Sequence, residues 1–237
     1  MLSNLDSLGT QTISKIAEVA LASQMKQVDK LSVDVKIEPE NLAKGMVNAL
    51  AIEGRGLVTQ SSLRVEKISL IIKEIAVAPF KALMGNIQLT KPASGHAVLM
   101  IEPKDFAEAL ETLLAQDHEK DLQVRSLECE FSSPDLIKLQ AQVLDKRTSD
   151  SETLELLLKT VFDPNRQAVI LEDVDYVRNE VLGGTVGARI EKQLLDILNF
   201  QFLVFEGLSF QVNGLEILNN ALELSAIAEI TSFPKAA

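Results

Sequence analysis

The chain carries very little with which to do covalent chemistry. Trp is absent, aromatics make up 4% of its 237 residues, and it has one cysteine and two histidines. A lone cysteine, Cys129, excludes an internal disulfide framework and a Cys-based zinc site, and it fits a reducing compartment. His96 and His118 have no second His, Cys or carboxylate at metal-ligand spacing, although His118 stands between Asp117 and Glu119 in a polar linker. Asp173 and Asp175 share a strand face without a third ligand. No metal and no cofactor are expected.

Basic excess is missing as well. A formal charge of -11, spread along the chain, argues against a phosphate-backbone footprint and so against nucleic acid as a partner. It also restricts any membrane contact to a local, transient encounter. No window approaches the ~20 apolar residues of a spanning helix. The opening MLSNLDSLGT has neither a basic n-region nor a sustained apolar run, so no signal peptide is expected. The expected location is cytoplasmic, peripheral to a membrane.

Reactive motifs are equally scarce. There is no G-x-S-x-G and no Ser/Lys pair at acyl-enzyme spacing, and Cys129 alternates with Leu127 and Phe131 as a buried strand residue would. The run Gly183-Gly184-Thr185-Val186-Gly187 precedes a helix, yet it matches neither G-x-G-x-x-G nor the P-loop and lacks the lysine. Helix entry is its expected role. No catalytic residue is assigned, and the chain is not expected to be an enzyme.

What is present is aliphatic. Hydrophobic residues make up 46% of the chain, which suits packed sheets and would equally suit an acyl-chain cavity. The length can bury a real core, and with no break in composition a single domain over residues 1–237 is expected. Ile13, Ile16, Ala17, Ala20, Leu21, Met25 and Val28 fall at spacings of three and four, predicting an amphipathic helix over Thr12–Lys30, ~18 residues and roughly 27 Å long. Leu31, Val33, Val35 and Ile37 then alternate, so the chain should leave the helix near Asp29 or Lys30 and extend.

Beyond a short connection at Pro39 to Gly45, Met46 to Gln60 reads as strand, with Gly54 and Gly56 marking a bulge or bend. From Ser62 to Ala78 the alternation changes phase twice: Leu63 and Val65, then Ile68, Leu70 and Ile72, then Ile75 and Val77. A slip turns the buried face outward unless a residue is inserted, which predicts β-bulges near Glu66-Lys67 and Lys73-Glu74. Phe80 to Gly85 should form a turn or short helix. Asn86 to Glu102 resumes as strand, interrupted at Lys91-Pro92 and Ser94-Gly95. Pro103 suits a first helical position and Asp105 the positive end of the helix dipole, with Phe106, Ala107, Leu110, Leu113 and Leu114 as the stripe.

Runs at Leu122 to Phe131, Leu136 to Asp145, Thr153 to Phe162 and Gln167 to Val177, separated by turn residues, predict an antiparallel meander. In the second run Ile137, Leu139, Ala141 and Val143 oppose Lys138, Gln140 and Gln142, a one-sided sheet with a wet face. After the glycine-rich turn, Val186, Ile190, Leu194, Ile197 and Leu198 form a third helical stripe. Strands at Phe200 to Phe205, Leu208 to Ile217 and Ala221 to Thr231 close the chain, the last two joined at Asn219-Asn220, because Asn tolerates the positive φ of a tight hairpin. Leu222, Leu224, Ala226, Ala228 and Ile230 make the final apolar face.

The order of these features, KIAEVALASQMKQVDKLSVDVK, then AIEGRGLVTQSSLRVEKISLIIKEIAV and PFKALMGNIQLTKPASGHAVL, a helix at DFAEALETLL, and FLVFEGLSFQVNGLEI with its hairpin, resembles the LmeA-like phospholipid-binding family over nearly the whole chain. The resemblance implies an α+β fold in which long amphipathic helices wrap a highly twisted antiparallel sheet, similar to one half of the tubular lipid-binding proteins (BPI/SMP-like). It implies a phospholipid or other acyl lipid as partner and, in some members, lipid transfer.

The expected function is therefore non-enzymatic lipid binding in a groove between the first helix and a curved sheet. Candidate lining residues are Ile16, Ala20, Leu21 and Met25 from the first helix, Phe80 and Leu83 from the turn, and Phe106, Leu110 and Leu114 from the second helix. The alternative is an interaction module or self-associating scaffold with a collapsed groove, whose partners include a second copy of the chain.

Overall fold

Alternation of apolar and polar residues makes more than half of the described residues strand, and the strands sort into two antiparallel sheets. The computed structural model describes residues 14–232, apart from 16, 61, 79–87, 117–120, 133, 134, 180, 181 and 200–205. The first sheet has six strands in the order β1-β2-β3-β4-β10-β9: β1 (Gln27–Lys36), β2 (Met46–Val58), β3 (Arg64–Ala76), β4 (Ala93–Ile101), β10 (Ala221–Ile230) and β9 (Leu208–Leu218). The second is the expected meander, β5 (Leu122–Ser132), β6 (Leu136–Asp145), β7 (Ser151–Asp163) and β8 (Ala168–Arg178). One continuous aliphatic core joins both sheets.

Among the described residues the helices are short. The first, α1, occupies residues 14–22 and is followed by a short helical turn, α2 (Pro39–Ala43). The longest among the described residues is α3 (Pro103–Gln116), at 14 residues. Last comes α4 (Ala188–Leu198), entered through a π-helical turn at Gly183–Gly187. Among the described residues no long helix wraps the sheet, and α1 does not run on to Lys30. It ends because β2 claims the chain. The Lys26 N–H donates to the Val58 carbonyl at 2.9 Å, and Val28, although in phase with the helical stripe, pairs with Leu57. Tighter turns close the helix, with Gln24 N–H to Leu21 O at 3.1 Å and Met25 N–H to Ala22 O at 3.1 Å.

The two phase slips in β3 are present, but their mechanism differs from a bulge in one strand. Val65, Ile68, Leu70, Ile72 and Ile75 are all buried, so the inward face does change phase twice. The β2–β3 register nevertheless runs unshifted from Val58↔Arg64 to Met46↔Ala76. Only Gly56 opposite Glu66 and Asn48 opposite Glu74 drop out of the ladder. Each strand spends one residue at the same place, so both faces turn together and partners are conserved. Gly56 (φ +57°) and Glu74 (φ +55°) supply the left-handed backbone that this requires. Neighbouring β1 slips at the same level, since Asp29 opposite Gly56 is also unpaired. Glycine is favoured at 56, where a Cβ would lie 2.0 Å from Asp29 Oδ2 and force that side chain to move.

Elsewhere most of the sequence signals on described residues hold, but β4 begins only at Ala93, with Leu89 before it making an isolated bridge to Val77. Ser94 and Gly95 do not interrupt β4; they pair with Glu229 and Ala228 inside it. Gly95 is there for clearance, because a Cβ would sit 2.2 Å from the Ile71 carbonyl oxygen. Asn219 (φ +51°) and Asn220 (φ +59°) form the tight turn between β9 and β10. Val186, Ile190, Leu194, Ile197 and Leu198 are buried, as the third helical stripe requires. Gly187 lies under the Tyr176 ring, whose nearest atom would be 2.6 Å from a Cβ. The predicted strand at Phe200 to Phe205 and the turn at Phe80 to Gly85 lie outside the described residues.

Candidate functional site

The site is built where α1 lies over the inward face of the six-stranded sheet. The stripe at spacings of three and four points Ala17, Ala20 and Leu21 at the sheet and leaves Val19, 53% exposed, on the outside. Beneath the helix, Val33 of β1, Leu50 and Ile52 of β2 and Leu70 and Ile72 of β3 present their inward side chains. Two small apolar slots remain between these layers, each about 20 Å³. Leu21, Ile52, Leu70 and Leu208 line both, which makes the slots one seam. Met25, Leu31, Leu57, Ile68 and Phe210 extend it at one end, and Ala17 and Ile230 at the other. Every lining residue is apolar. Gly54 keeps the floor low, since a Cβ there would come within 2.8 Å of both Ile68 and Leu57.

The seam is closed by a helix held at its ends. Ser14 Oγ accepts the Val35 N–H at 3.1 Å, tying the start of α1 to the open edge of β1. At the other end the Gln24 carbonyl accepts from Gln60 Nε2 at 3.1 Å, and Gln24 Oε1 accepts the Glu206 N–H at 3.0 Å. Beside this end Arg64 Nη2 meets Asp29 Oδ2 at 2.5 Å across Gly56. The hydrogen bond from Arg64 holds the Asp29 carboxyl below its ordinary range, with Gln27 adding to the effect.

Of the residues named from sequence, Leu21 and Met25 line the seam, and Ala20 is fully buried beside it. Phe106, Leu110 and Leu114 are brought together elsewhere, on the face of α3 that enters the closed core. There the Phe106 and Phe131 rings meet edge to face, centroids 5.7 Å apart. Ile16, Phe80 and Leu83 lie outside the described residues. Sequence reading missed Leu208, Phe210 and Ile230. Alternation marks all three as strand residues, but only the placement of β10 and β9 beyond β4 carries them to the helix.

A wider cleft of about 570 Å³ opens between the start of α3 and β5. Its charged rim is Glu102, Lys104, Glu108, Glu111 and Glu128, and Lys104 is already 3.7 Å from Glu108. Such a rim repels a phosphate. Glu111 is also engaged, accepting the Leu127 N–H and so covering the outer edge of β5. Cys129 borders this cleft with its thiol pushed up by burial, the opposite of an activated nucleophile. Among the described residues no group of His, Cys, Asp and Glu is arranged to hold a metal ion, and no helix is long and apolar enough to cross a membrane.

Comparison with curated proteins and with solved structures finds no match. A family model, described as LmeA-like phospholipid-binding, matches residues 5–227. An apolar seam under an amphipathic helix thus sits in a chain that belongs to the LmeA-like phospholipid-binding family.

Proposed function

We propose that the protein is a non-enzymatic phospholipid carrier that receives acyl chains between α1 and the six-stranded sheet, as one half-module of the tubular lipid-binding type. The observation that carries this reading is the unbroken apolar lining of the seam in a member of a phospholipid-binding family. Slots of about 20 Å³ are far below the ~300–1,000 Å³ of ligand pockets, so binding requires α1 to lift from the sheet. The helix is suited to this. Leu21 and Met25 are only partly buried, and the described polar ties named above concentrate at its two ends. Each buried methylene contributes about 0.8 kcal/mol, so a chain of a dozen or more carbons offsets the separation of the two layers. Loading from a bilayer, and delivery to one, need transient contact with a membrane surface.

Native mass spectrometry after incubation with phosphatidylglycerol and phosphatidylcholine vesicles tests the proposal. Adducts of phospholipid mass, reduced by Leu21→Asn in a protein that still folds, are the expected result. A clean apo mass with every vesicle composition overturns it. The closed seam itself favours a second reading, an interaction module with a collapsed groove; that reading predicts the clean apo mass together with a stable oligomer.

A further inference from the structure

The outward face of the six-stranded sheet is covered by no described element, and its residues can be mapped row by row from the registers. One row reads Lys30, Arg55, Lys67, Met100, Glu223, Glu216 across β1, β2, β3, β4, β10 and β9. The next reads Ser32, Glu53, Ser69, Val98, Ser225, Gly214, and the third Asp34, Ala51, Ile71, His96, Ile227, Gln211. Two features are unusual. Three cations stand side by side on adjacent strands, where like charges repel, and none joins an ion pair with a described carboxylate. The middle of the face is apolar yet wet, with Ile71 45%, Val98 36% and Ile227 40% exposed.

The pattern is self-complementary. We propose that this face packs against the same face of a second copy about a two-fold axis parallel to the strands. Such an axis keeps each row and reverses the strand order, so β1 meets β9 and β2 meets β10 of the second copy. Lys30 then faces Glu216 of the second copy, Arg55 faces Glu223, and Lys67 faces Met100. In the apolar rows Ala51 faces Ile227, Ser69 faces Val98 and Ile71 faces His96. No like charges oppose one another, and every pairing occurs twice, as an isologous interface demands. The other face-to-face axis, perpendicular to the strands through the middle row, would lay each strand on itself and reverse the rows, so Arg55 would meet Ala51, Lys67 Ile71 and Glu223 Ile227, and only Lys30 would meet a carboxylate, Asp34.

An anionic membrane is the competing occupant. The three rows hold Lys30, Arg55 and Lys67 against Glu53, Glu216, Glu223 and Asp34, and the next outward row adds Lys36 and Lys73 against Glu229, so the charges cancel and the face offers such a membrane no net attraction. Segregated charge of both signs instead matches a copy of itself. Strands ~4.8 Å apart and rows ~7 Å apart give a face of roughly 600 Å² per copy. That is the low end of specific interfaces, and it predicts a reversible dimer. Because packed sheets cross at ~30°, the pair nearer the axis, Arg55 with Glu223, is the contact to test.

The experiment is sedimentation velocity from about 1 to 100 μM on four proteins: wild type, Arg55→Glu, Glu223→Arg and the double variant, with thermal melts to confirm folding. Both sites are on the outward face, and within one chain they are ~14 Å apart by strand spacing, too far to pair. Wild type should dimerise, and each single reversal should raise the dimer Kd about tenfold or more, while the double variant returns it to within about threefold. A monomer throughout overturns the proposal. So does a dimer that ignores the single reversals, or one that the double variant does not restore. Flotation with phosphatidylglycerol vesicles is run in parallel; binding that Arg55→Glu abolishes in a monomeric protein assigns the face to the membrane instead.

Discussion

Two helices carry the same signature in sequence, an apolar stripe at spacings of three and four, and meet opposite fates. On α3, Phe106, Leu110 and Leu114 are sealed between the two sheets, with Phe131 against Phe106 and Glu111 closing the edge of β5. On α1, Ala17 and Ala20 are buried, but Leu21 and Met25 are only partly covered and a seam remains beneath them. The difference lies in what surrounds each helix. Sheet, a second helix and an aromatic partner enclose α3, whereas among the described residues α1 rests on one sheet. A helix with one described partner layer is the one that can leave it at moderate cost, which is why the proposed ligand entry is at α1 and the larger share of stability is expected around α3.

The sharpest way to break this comparison is to cut into both helices. Phe106→Ala should cost about 3–5 kcal/mol in denaturant unfolding, with lipid uptake per folded molecule unchanged. Leu21→Asn should cost less, about 1–2 kcal/mol, because its side chain is half covered, and it should lose lipid uptake. Equal destabilisation at the two positions, or lipid loss from Phe106→Ala alone, would show that the seam is ordinary core. At the slip in β2, Gly56→Ala forces a left-handed φ on a residue with a Cβ and should cost roughly 1–3 kcal/mol by thermal melt. The mild substitution Ser32→Ala on the same sheet is the control.

The smallest expected effect is in pH. Tyr176, the chain's single tyrosine, packs over Gly187 and donates to Glu191, so its phenol is pushed up to about 12, by burial first and by Glu191 second. The folded state therefore holds the proton more tightly than the unfolded chain, whose tyrosine ionises near 10. Its contribution to stability is full below pH ~10 and is lost as pH rises through about 12. Phenolate absorbance near 295 nm should show that midpoint, and Glu191→Gln should lower it. A midpoint at ~10 in the folded protein would mean that Tyr176 is freely solvated and the packing around α4 loose.

Local signals were legible wherever one residue type meets one backbone demand. Pro103 opens α3, Asn219 and Asn220 turn β9 into β10, and the slips at Glu66 and Glu74 show as changes of phase along the chain. The same logic misread Ser94-Gly95, since a glycine that clears a neighbouring carbonyl looks like one that breaks a strand. It also extended the first helix past residue 22, because Met25 and Val28 suit the stripe equally well. Strand pairing with Leu57 and Val58 outweighed helical spacing there. Part of the seam was illegible for a related reason. Leu208, Phe210 and Ile230 lie nearly two hundred residues after the helix that they meet.

By itself, then, the amino-acid sequence determined the class of element along most of the described chain and the inward faces, because periodicity and φ tolerance act over a few neighbours. Tertiary structure decided which apolar stripe was sealed and which was left over a seam. It also decided that a single register survives two slips and that six strands align cations at one end of a row and carboxylates at the other. Those outcomes depend on which strands become neighbours. That is a matter of non-local pairing and enclosure, and no spacing along the chain encodes it.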